Sequence, residues 1–525
     1  MESAEPLAIL MVVAVVALLM IGYPVALTLA GVSLIFAALG DIAGVMHFTL
    51  LGALPQRIFG VMTNEVLLAI PLFVFMGVML ERSRIAEELL ETMGRLFGSL
   101  TGGLAISATL VGTLLAAAKG VAGATTVTMG LIALPAMMRH GYDPRLAAGT
   151  IAATSTLAQI MPPATVLVLL ADQINIAFQS AQLAAGNFSP DSVSIGDLFA
   201  GAIVPALLLV SLYLLFQIAV AILRPAACPA VAPEPAVQGQ AAPSSALRTL
   251  EALVAPILLI VIVLGSILAG FATPTEAAAV GAFGAILLTA YKTERSRSAL
   301  LAAGAIVFML TLRGFVDLRI GHTAGLFGGL ALAAAVALLA LLAYSTLRAL
   351  GAVARSGILR EALAATTHIT TMIFTILIGA TLFSLVFRGL GGDEMVRRAL
   401  AHLPGGAAGA VVIVMLAMFL LGFVMDAFEI IFVVVPIVAP ALLTMPGVDP
   451  IWLGVMMAMN LQTSYIHPPL GPTLFFLRGV APPEITTLHI YVGAIPFVLI
   501  QLFALVLLWF LPELAAALPA ALYAK

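Results

Sequence analysis

Residues 143–163 read DPRLAAGTIAATSTLAQIMPP, and residues 449–469 read DPIWLGVMMAMNLQTSYIHPP. Each stretch opens with Asp-Pro and closes with Pro-Pro at the same spacing, and the second begins 449 − 143 = 306 positions after the first. The same offset aligns about residues 64–172 with 370–478 without a gap, so that Glu87-Glu88 falls on Asp393-Glu394 and Gly103 on Gly409. An internal duplication is the simplest explanation.

The composition is strongly apolar. Hydrophobic residues make up 62% of the 525 positions and charged residues 9%, whereas an ordinary soluble domain has about 25% charged residues. Apolar segments of about 20 residues recur along the chain, which is the helix length that crosses a hydrocarbon core of about 30 Å. The single cysteine, Cys228, excludes a disulfide framework and a thiolate metal site. The N-terminus lacks the basic residues of a cleaved signal peptide. The sequence therefore predicts an all-α polytopic membrane protein.

The duplication carries one insertion. Pro274 and Gly281 match Pro24 and Gly31 at an offset of 274 − 24 = 250, so the second half holds 306 − 250 = 56 additional residues. Two apolar runs in the insertion predict two added helices. The predicted domains are a first repeat at 1–223 (hairpin at about 102–138, broken helix at about 146–171), a Pro/Ala-rich linker at 224–249 that is disordered or extended, and a second repeat at 250–525 (two-helix insertion within about 291–369, hairpin at about 408–443, broken helix at about 451–477).

Basic residues indicate the topology. If the basic loops 82–95 and 139–145 both face the cytoplasm, the glycine-rich stretch between them is a re-entrant hairpin or an even number of spans. Gly22-Tyr23-Pro24 likewise separates two spans or breaks one. An odd number of crossings in each half places the halves in opposite orientations, and the two inserted helices bring the total to about twelve crossings.

The two Pro-Pro pairs lie inside predicted membrane spans. A broken span leaves backbone amides and carbonyls without partners, at several kcal/mol each unless protein, water or an ion satisfies them. Both pairs follow polar runs, TSTLAQIM at 154–161 and NLQTSYIH at 460–467. Paired broken helices in an inverted repeat are typical of secondary transporters. In the simpler alternative, these polar side chains only bridge helices or cap broken ends, and His467 fits a hydrogen-bonded helix end.

The hairpin tips carry a second group of polar residues. The first tip, GVAGATT at 120–126, offers glycines for a turn and hydroxyls for ion ligation, and the aligned tip holds Asp426 and Glu429. Carboxylates in a membrane segment are functional candidates, with helix capping as the alternative. A charged lysine in the bilayer centre costs roughly 2.5–3.5 kcal/mol. Lys119 must therefore face water, a carboxylate or a substrate anion, occupy the place of a metal cation, or lose its proton.

Other function classes find little support in the sequence. The seven histidines are scattered without metal-ligand spacing, so no transition-metal site is expected. No phosphate loop or nucleophile motif occurs. An ATP-driven pump would need a separate nucleotide domain. We expect no enzyme activity; a membrane-embedded enzyme, which would need a clustered acidic or histidine site, is the remote alternative.

Four motifs resemble signatures of the large membrane (permease) subunit of tripartite ATP-independent periplasmic (TRAP) transporters. They are GYDP at 141–144, QIMPP at 159–163, TPTEAAAVG at 273–281, and Asn460 with PPLGPTLF at 468–475. The resemblance covers nearly the whole chain outside the linker and the insertion. It implies an inverted-repeat, elevator-type transporter in the bacterial inner membrane, with a scaffold around a mobile core of two re-entrant hairpins and two broken helices.

The resemblance also implies the ligands and partners. These are sodium as coupling ion with no other cofactor, a small four-helix membrane subunit, and a periplasmic binding protein that delivers an organic acid, often a carboxylate. Carried onto this chain, the expected sodium ligands are Gly120, Gly123, Thr125, Thr154, Thr156, Met161, Pro162, Asp426, Asn460 and Thr463. The substrate-pocket candidates are Lys119, Thr126, Ser155, Gln159, Gln462, Ser464 and His467, and the helix breaks lie at Pro162, Pro163, Pro468 and Pro469. Lys119, Ser155 and Ala158 depart from the family pattern beside the first cation site.

The expected function is therefore sodium-coupled import of an organic acid by a TRAP permease subunit. The alternative is a self-sufficient, ion-coupled anion symporter of related architecture, which needs no binding protein. Purification with or without a small helical partner distinguishes the two.

Overall fold

The computed structural model describes residues 5–83, 85–231, 245–294, 297–315 and 326–523. Every regular element in these ranges is a helix. The all-α class predicted from the composition is therefore confirmed.

The first half begins with two apolar helices and ends with a long one. Its α-helices are α1 (Glu5–Ile21), α2 (Val25–Ile42), α3 (Leu54–Met62), α4 (Ala69–Arg82), α5 (Ile85–Phe97), α6 (Gly103–Lys119), α7 (Ala122–Arg139), α8 (Pro144–Thr156), α9 (Thr165–Ala184) and α10 (Ile195–Leu223). Short 3-10 helices lie at Phe48–Ala53, Glu65–Leu68, Leu157–Gln159 and Pro225–Ala227.

The second half repeats this order around the insertion, which supplies α13 and α14. Its helices are α11 (Ser245–Leu268), α12 (Pro274–Glu294), α13 (Arg297–Phe315), α14 (Leu326–Arg355), α15 (Ile358–Gly389), α16 (Gly392–Ala401), α17 (Gly406–Leu421), α18 (Ala427–Val433), α19 (Val435–Leu443), α20 (Pro450–Ser464), α21 (Pro472–Val480), α22 (Thr487–Phe510) and α23 (Glu513–Tyr523).

The Asp-Pro and Pro-Pro residues of the duplicated motif mark where α8 and α20 begin and end. Asp143 Oδ1 accepts a hydrogen bond from the Arg145 amide at 2.8 Å, and Asp449 Oδ1 accepts one from the Trp452 amide at 2.7 Å. A proline follows each aspartate at the first helical position. The amide of that position has no acceptor within the helix, so the missing N–H of proline costs no hydrogen bond. Because a proline disfavours helical geometry in the residue before it, the Pro-Pro pairs lie in the non-helical segments after α8 and α20.

Several helices have the length and composition of membrane spans. Within the described ranges, six qualify: α2, α9, α10, the part of α14 from Leu330, α15 and α22. The segments 48–62 and 65–82, bent by 49°, would form a seventh as one broken span. Six further apolar helices have 10–17 residues, among them α1, α6 and α17. A membrane protein is confirmed, and the total of about twelve crossings stays a prediction.

Helices of one half pack against helices of the other. α4 packs on α12 as α15 packs on α2, and α8 packs on α22 as α20 packs on α10. At the α8–α22 contact, a Cβ on Gly493 would lie 2.0 Å from the Arg145 carbonyl oxygen. At the α20–α10 contact, a Cβ on Gly201 would lie 2.6 Å from the Ile451 side chain. Because 451 − 145 = 306, the two interfaces use equivalent positions of the duplication.

Part of the predicted linker is ordered against the first half. The Gly102 amide donates to the Cys228 carbonyl at 2.9 Å, the Asp143 amide to the Ala227 carbonyl at 2.8 Å, and the Val231 amide to the Gly98 carbonyl at 2.7 Å. Burial raises the pKa of the Cys228 thiol. Residues 225–231 thus belong structurally to the first half. Residues 232–244 lie outside the described ranges, and α11 begins at Ser245, before the predicted boundary at 250.

Three features were not predicted. The short helix α3 precedes α4, and the C-terminal helix α23 packs against α10. The second hairpin has an extra interruption between α18 and α19 at Val434, just before a proline in the first turn of α19. Proline lacks the amide that would continue the helix, which accounts for this interruption.

Gly493→Ala tests the close contact between α8 and α22. Its new Cβ meets backbone and not a flexible side chain, so we expect a loss of about 1–3 kcal/mol, the usual cost of overpacking. The thermal midpoint of the purified protein in detergent measures it. Gly265→Ala is the matched control, because a Cβ there meets nothing within 4 Å, and alanine favours a helix by about 0.5–1 kcal/mol over glycine. A midpoint for Gly493→Ala equal to the control's would contradict this packing.

Candidate functional site

The tip of the first hairpin lies against the first broken helix. α6 ends at Lys119, and Gly120 follows in the left-handed conformation with φ +62°. A Cβ on Gly120 would lie 3.1 Å from the Thr165 amide nitrogen and 3.3 Å from the Pro163 carbonyl oxygen. Position 120 therefore favours glycine for two reasons: its positive φ angle, and the close approach of its backbone to the break.

The hydroxyls at the first break are buried and directed at their own helix. Thr154 Oγ1 donates to the Thr150 carbonyl at 2.7 Å, Ser155 Oγ to the Ile151 carbonyl at 2.7 Å, and Thr156 Oγ1 to the Ala153 carbonyl at 2.8 Å. This geometry uses the hydroxyl protons and leaves lone pairs available on the oxygens of Thr154 and Ser155, whereas Thr156 Oγ1 accepts two further hydrogen bonds. Gln159 is 1% exposed, and its Oε1 has no hydrogen-bond partner. Met161, Pro162 and Pro163 are buried beside it.

The predicted hydroxyls of the first tip are also fully buried. Thr125 Oγ1 donates to the Val121 carbonyl at 3.2 Å, and Thr126 Oγ1 to the Ala122 carbonyl at 2.8 Å. A Cβ on Gly123 would lie 2.9 Å from the Phe476 ring of α21. The first tip therefore contacts α9, which follows the first break, and α21, which follows the second.

The second hairpin meets the second break in a comparable way. A Cβ on Gly422 would lie 2.3 Å from the Ser464 side chain. Asn460 Nδ2 donates to the Met415 carbonyl of α17 at 2.7 Å, which leaves Asn460 Oδ1 as an acceptor. Thr463 Oγ1 and Ser464 Oγ donate to the backbone of α20, to Met459 at 3.0 Å and to Asn460 at 3.2 Å.

The carboxylates of the second tip form a helix cap. Asp426 Oδ1 accepts from the Ala427 amide at 2.6 Å, and Glu429 Oε2 accepts from the Asp426 amide at 3.0 Å. This reciprocal arrangement is a capping box at the start of α18. The capping alternative thus describes the geometry of Asp426, whose hydrogen bonds are with its own helix start and not with Asn460 or Thr463.

His467 lies in an aromatic enclosure at the second break. Its ring centroid is 3.6 Å from that of Phe423 and 5.0 Å from that of Phe419, both in the second hairpin. The side chain is 3% exposed, and neither ring nitrogen has a hydrogen-bond partner. The hydrogen-bonded helix end stays a prediction, since the ring lies beside the Ser464 backbone at the end of α20 without a hydrogen bond of ordinary geometry.

A buried polar network joins the two broken helices. Gln462 Nε2 donates to Thr156 Oγ1 at 3.3 Å, and the two residues are equivalent in the duplication because 462 − 156 = 306. Gln501 Nε2 of α22 donates to the same Thr156 oxygen at 3.1 Å and to the Tyr213 hydroxyl of α10 at 2.7 Å. The sequence analysis missed Gln501 and Tyr213. A search for single polar residues inside the apolar spans would have found Gln501.

Lys119, predicted as a substrate-pocket residue, contacts α4 in this structure, and its place in the pocket stays a prediction. Its Nζ lies 2.6 Å from Thr128 Oγ1 and 3.3 Å from Glu81 Oε2 of α4. The ammonium therefore lies on the side of the hairpin that faces α4, where a carboxylate neutralises it. Among the five options set out for Lys119, the structure shows pairing with a carboxylate.

Gln501→Leu tests the network. The variant is combined with Thr156→Val in a double-mutant cycle. We expect an interaction free energy between the two sites of about 0.6–1.7 kcal/mol, the range of hydrogen bonds inside membrane proteins. Thermal midpoints of the purified variants give the four corners of the cycle. Gln179→Leu is the control, since Gln179 bonds Asn175 on its own helix. Additive effects of Gln501→Leu and Thr156→Val would contradict the contact.

Comparison with known proteins agrees with the motifs. The model of the family described as "Tripartite ATP-independent periplasmic transporter, DctM component" matches residues 12–514. The C4-dicarboxylate TRAP transporter large permease protein DctM of Vibrio cholerae is 25% identical over 514 residues, covering 97% of each chain. The ectoine TRAP transporter large permease protein TeaC of Halomonas elongata is 24% identical over 511 residues, covering 96% of this chain and 97% of its own.

A solved structure shares the fold at low identity. The YdaH transporter of Alcanivorax borkumensis superposes with a TM-score of 0.53 at 17% identity, over 90% of this chain and 88% of its own. The family match spans almost the full length of the chain. The helices after which the chain is interrupted, α8 and α20, end just before the Pro-Pro motifs quoted above. The chain therefore belongs to the DctM component family of tripartite ATP-independent periplasmic transporters, as a multi-pass protein of the bacterial inner membrane.

Proposed function

We propose that this protein is the large permease subunit of a sodium-coupled TRAP secondary transporter that imports an organic acid. One observation carries the proposal: each hairpin tip lies against a broken helix, at Gly120 with Pro163 and at Gly422 with Ser464. Such breaks concentrate backbone dipoles and polar side chains inside an apolar protein, which is how secondary transporters bind ions and substrates.

The packing supports an inverted repeat of residues 1–223 and 250–525. Equivalent residues of a duplication touch each other only near the axis that relates the two copies, and Thr156 and Gln462 are such a pair. The matching interfaces of α8 with α22 and of α20 with α10 support the same axis. In this proposal the axis lies in the membrane plane, between the two breaks.

The proposed sodium ligands fall into two groups of hard oxygen atoms. The first group is built at the first break from backbone carbonyls around Gly120 and Met161-Pro162 and hydroxyls such as Thr154. The second uses Asn460 Oδ1 and Thr463, with Asp426 at the adjacent tip. Unwound carbonyls and hydroxyls suit an alkali cation, and the unpartnered Gln159 Oε1 is an acceptor to spare at the first break.

The substrate is proposed to bind between the tips, where donors for a carboxylate are available. His467 offers an imidazole without a partner, enclosed by Phe419 and Phe423. A carboxylate substrate also agrees with the C4-dicarboxylate relative. Gln159, Gln462, Ser464, Ser155 and Thr126 are the remaining proposed pocket residues, and their burial means that the site needs the tips to part before substrate enters.

Alternating access is proposed to follow from movement of a core against a scaffold. The scaffold contains α2, α4, α12 and α15, which pack on one another across the two halves. The core contains the two hairpins and the two broken helices. In the proposed complex, a small membrane subunit binds the scaffold and a periplasmic binding protein delivers the substrate, as the family's tripartite name suggests.

Asn460→Ala tests the sodium site. We expect the sodium concentration for half-maximal uptake in proteoliposomes to rise roughly tenfold, because an oriented amide oxygen is lost. This change corresponds to about 1.4 kcal/mol of binding free energy. The expression level of the variant should fall by less than tenfold. The assay uses the complete complex with a C4-dicarboxylate and its binding protein. Thr375→Val is the control, since Thr375 is exposed on α15 and bonds only its own helix.

Three outcomes separate the possibilities. Unchanged sodium dependence in Asn460→Ala removes Asn460 from the site. Uptake in wild type without a sodium gradient overturns sodium coupling. Full uptake by this chain purified without a small subunit or binding protein favours the self-sufficient anion symporter.

A further inference from the structure

A cleft lies between the α7–α8 loop and the end of α10. Its volume is about 610 Å³, and it is lined by Gly141, Tyr142, Asp143, Pro144 and residues 224–227. The Asp143 amide donates to the Ala227 carbonyl at 2.8 Å, so a backbone hydrogen bond joins the two walls. The volume lies within the range of about 300–1,000 Å³ that is usual for small-molecule sites.

Three exposed arginines occur at this cleft. Arg224 is part of the lining, whereas Arg139 and Arg145 flank the lining loop 141–144, two positions before it and one position after it. Within the described ranges, none of the three guanidinium groups forms an ion pair or a hydrogen bond. A guanidinium presents five N–H donors in a planar fork and binds phosphate oxygens through two parallel bonds. These side chains therefore have their full donor capacity available for a phosphate group.

The charge at the cleft is positive. Asp143 is the one carboxylate in the segments 139–145 and 224–227, and its Oδ1 accepts from the Arg145 amide at 2.8 Å as the cap of α8. With His140 neutral, the two segments have a net charge of 3 − 1 = +2. A concave surface lined by one sign of charge attracts ligands of the opposite sign. The cleft thus favours an anion.

The position of the cleft is at the end of a membrane span. α10 has the length and composition of a span over its 29 residues, and Arg224 follows its last residue directly. A helix of that length measures about 43 Å and reaches from one headgroup layer of a bilayer to the other. Exposed apolar residues recur along one face of α10, at Leu207, Leu215, Ile218 and Ile222. This lipid-facing surface leads to Arg224, at the depth of the phospholipid phosphates.

We propose that the cleft binds the phosphate group of an anionic phospholipid, with the acyl chains along the exposed face of α10. Arg224 contacts the phosphate from one wall, and Arg139 and Arg145 contact it from the other. The topology predicted from the basic loops places the cleft at the cytoplasmic leaflet, where basic pockets of membrane proteins hold anionic headgroups. The bound lipid connects the α7–α8 loop to the end of α10 and so stabilises the base of the first hairpin.

Thermal unfolding of the purified full-length chain in mixed micelles tests the site. We expect dioleoylphosphatidylglycerol to raise the thermal midpoint of the wild type, and dioleoylphosphatidylcholine, which has the same acyl chains, to leave it unchanged. In the double variant Arg145→Gln, Arg224→Gln, the phosphatidylglycerol concentration for half of the rise should increase at least tenfold. Without added lipid, this variant should keep the wild-type midpoint, because neither guanidinium has a partner within the protein.

Arg360→Gln is the matched control. It removes an exposed arginine of α15, a helix that packs on α2 and α4, and the phosphatidylglycerol dependence should stay that of the wild type. Native mass spectrometry gives a second measurement that does not depend on unfolding. We expect the Arg145, Arg224 double variant to retain one phosphatidylglycerol molecule fewer per chain than the wild type and the control.

Glycerol 3-phosphate, offered at the same concentrations, distinguishes a lipid from a soluble phosphate ester. We expect it to leave the thermal midpoint of the wild type unchanged, because it lacks the acyl chains that contact α10. Equal stabilisation by glycerol 3-phosphate and phosphatidylglycerol would assign the cleft to a soluble ligand and overturn the lipid site. Equal stabilisation by phosphatidylcholine, or unchanged lipid retention in the double variant, would overturn it as well.

Discussion

Hydrocarbon offers no hydrogen-bond partners, and this constraint governs where the polar atoms of the chain lie. An unbroken helix satisfies its own amides and carbonyls, but each Pro-Pro pair interrupts that ladder inside the apolar body of the protein. Polar side chains and glycine turns are gathered at those two places. The first tip lies on Pro163 and Thr165, and the second lies on Ser464. Each broken helix and the hairpin tip beside it therefore pack as one structural unit.

The duplication explains why the unit occurs twice and how the halves hold together. Each half contributes a helix that packs into the other half, and the equivalent residues Thr156 and Gln462 meet where the two breaks approach each other. Gln501 and Tyr213 extend this contact to α22 and α10, which also carry the close glycine packing. The two breaks are thus connected through a short chain of hydrogen bonds.

The local features were readable from sequence, and the long-range partners were not. Proline, aspartate and glycine act on the adjacent backbone, so the starts of α8 and α20, their ends and the turn at Gly120 followed from the residues themselves. The partner of Lys119 lies 38 positions away on another helix, and Gln501 reaches Thr156 across 345 positions. No periodicity encodes such pairings. The aspartate at the second tip was ambiguous for a related reason, because a cap and a cation ligand require the same side chain at the same place.

Residues 227 and 228 bear on where the chain can be divided. The Cys228 carbonyl accepts from the Gly102 amide, just before α6, and the Ala227 carbonyl accepts from the Asp143 amide, just after α7. These two hydrogen bonds connect the two ends of the first hairpin and hold its base together. A genetic division of this protein into two separately expressed halves accordingly belongs after Val231, because a cut at Arg224 would take residues 227 and 228 from the half that needs them.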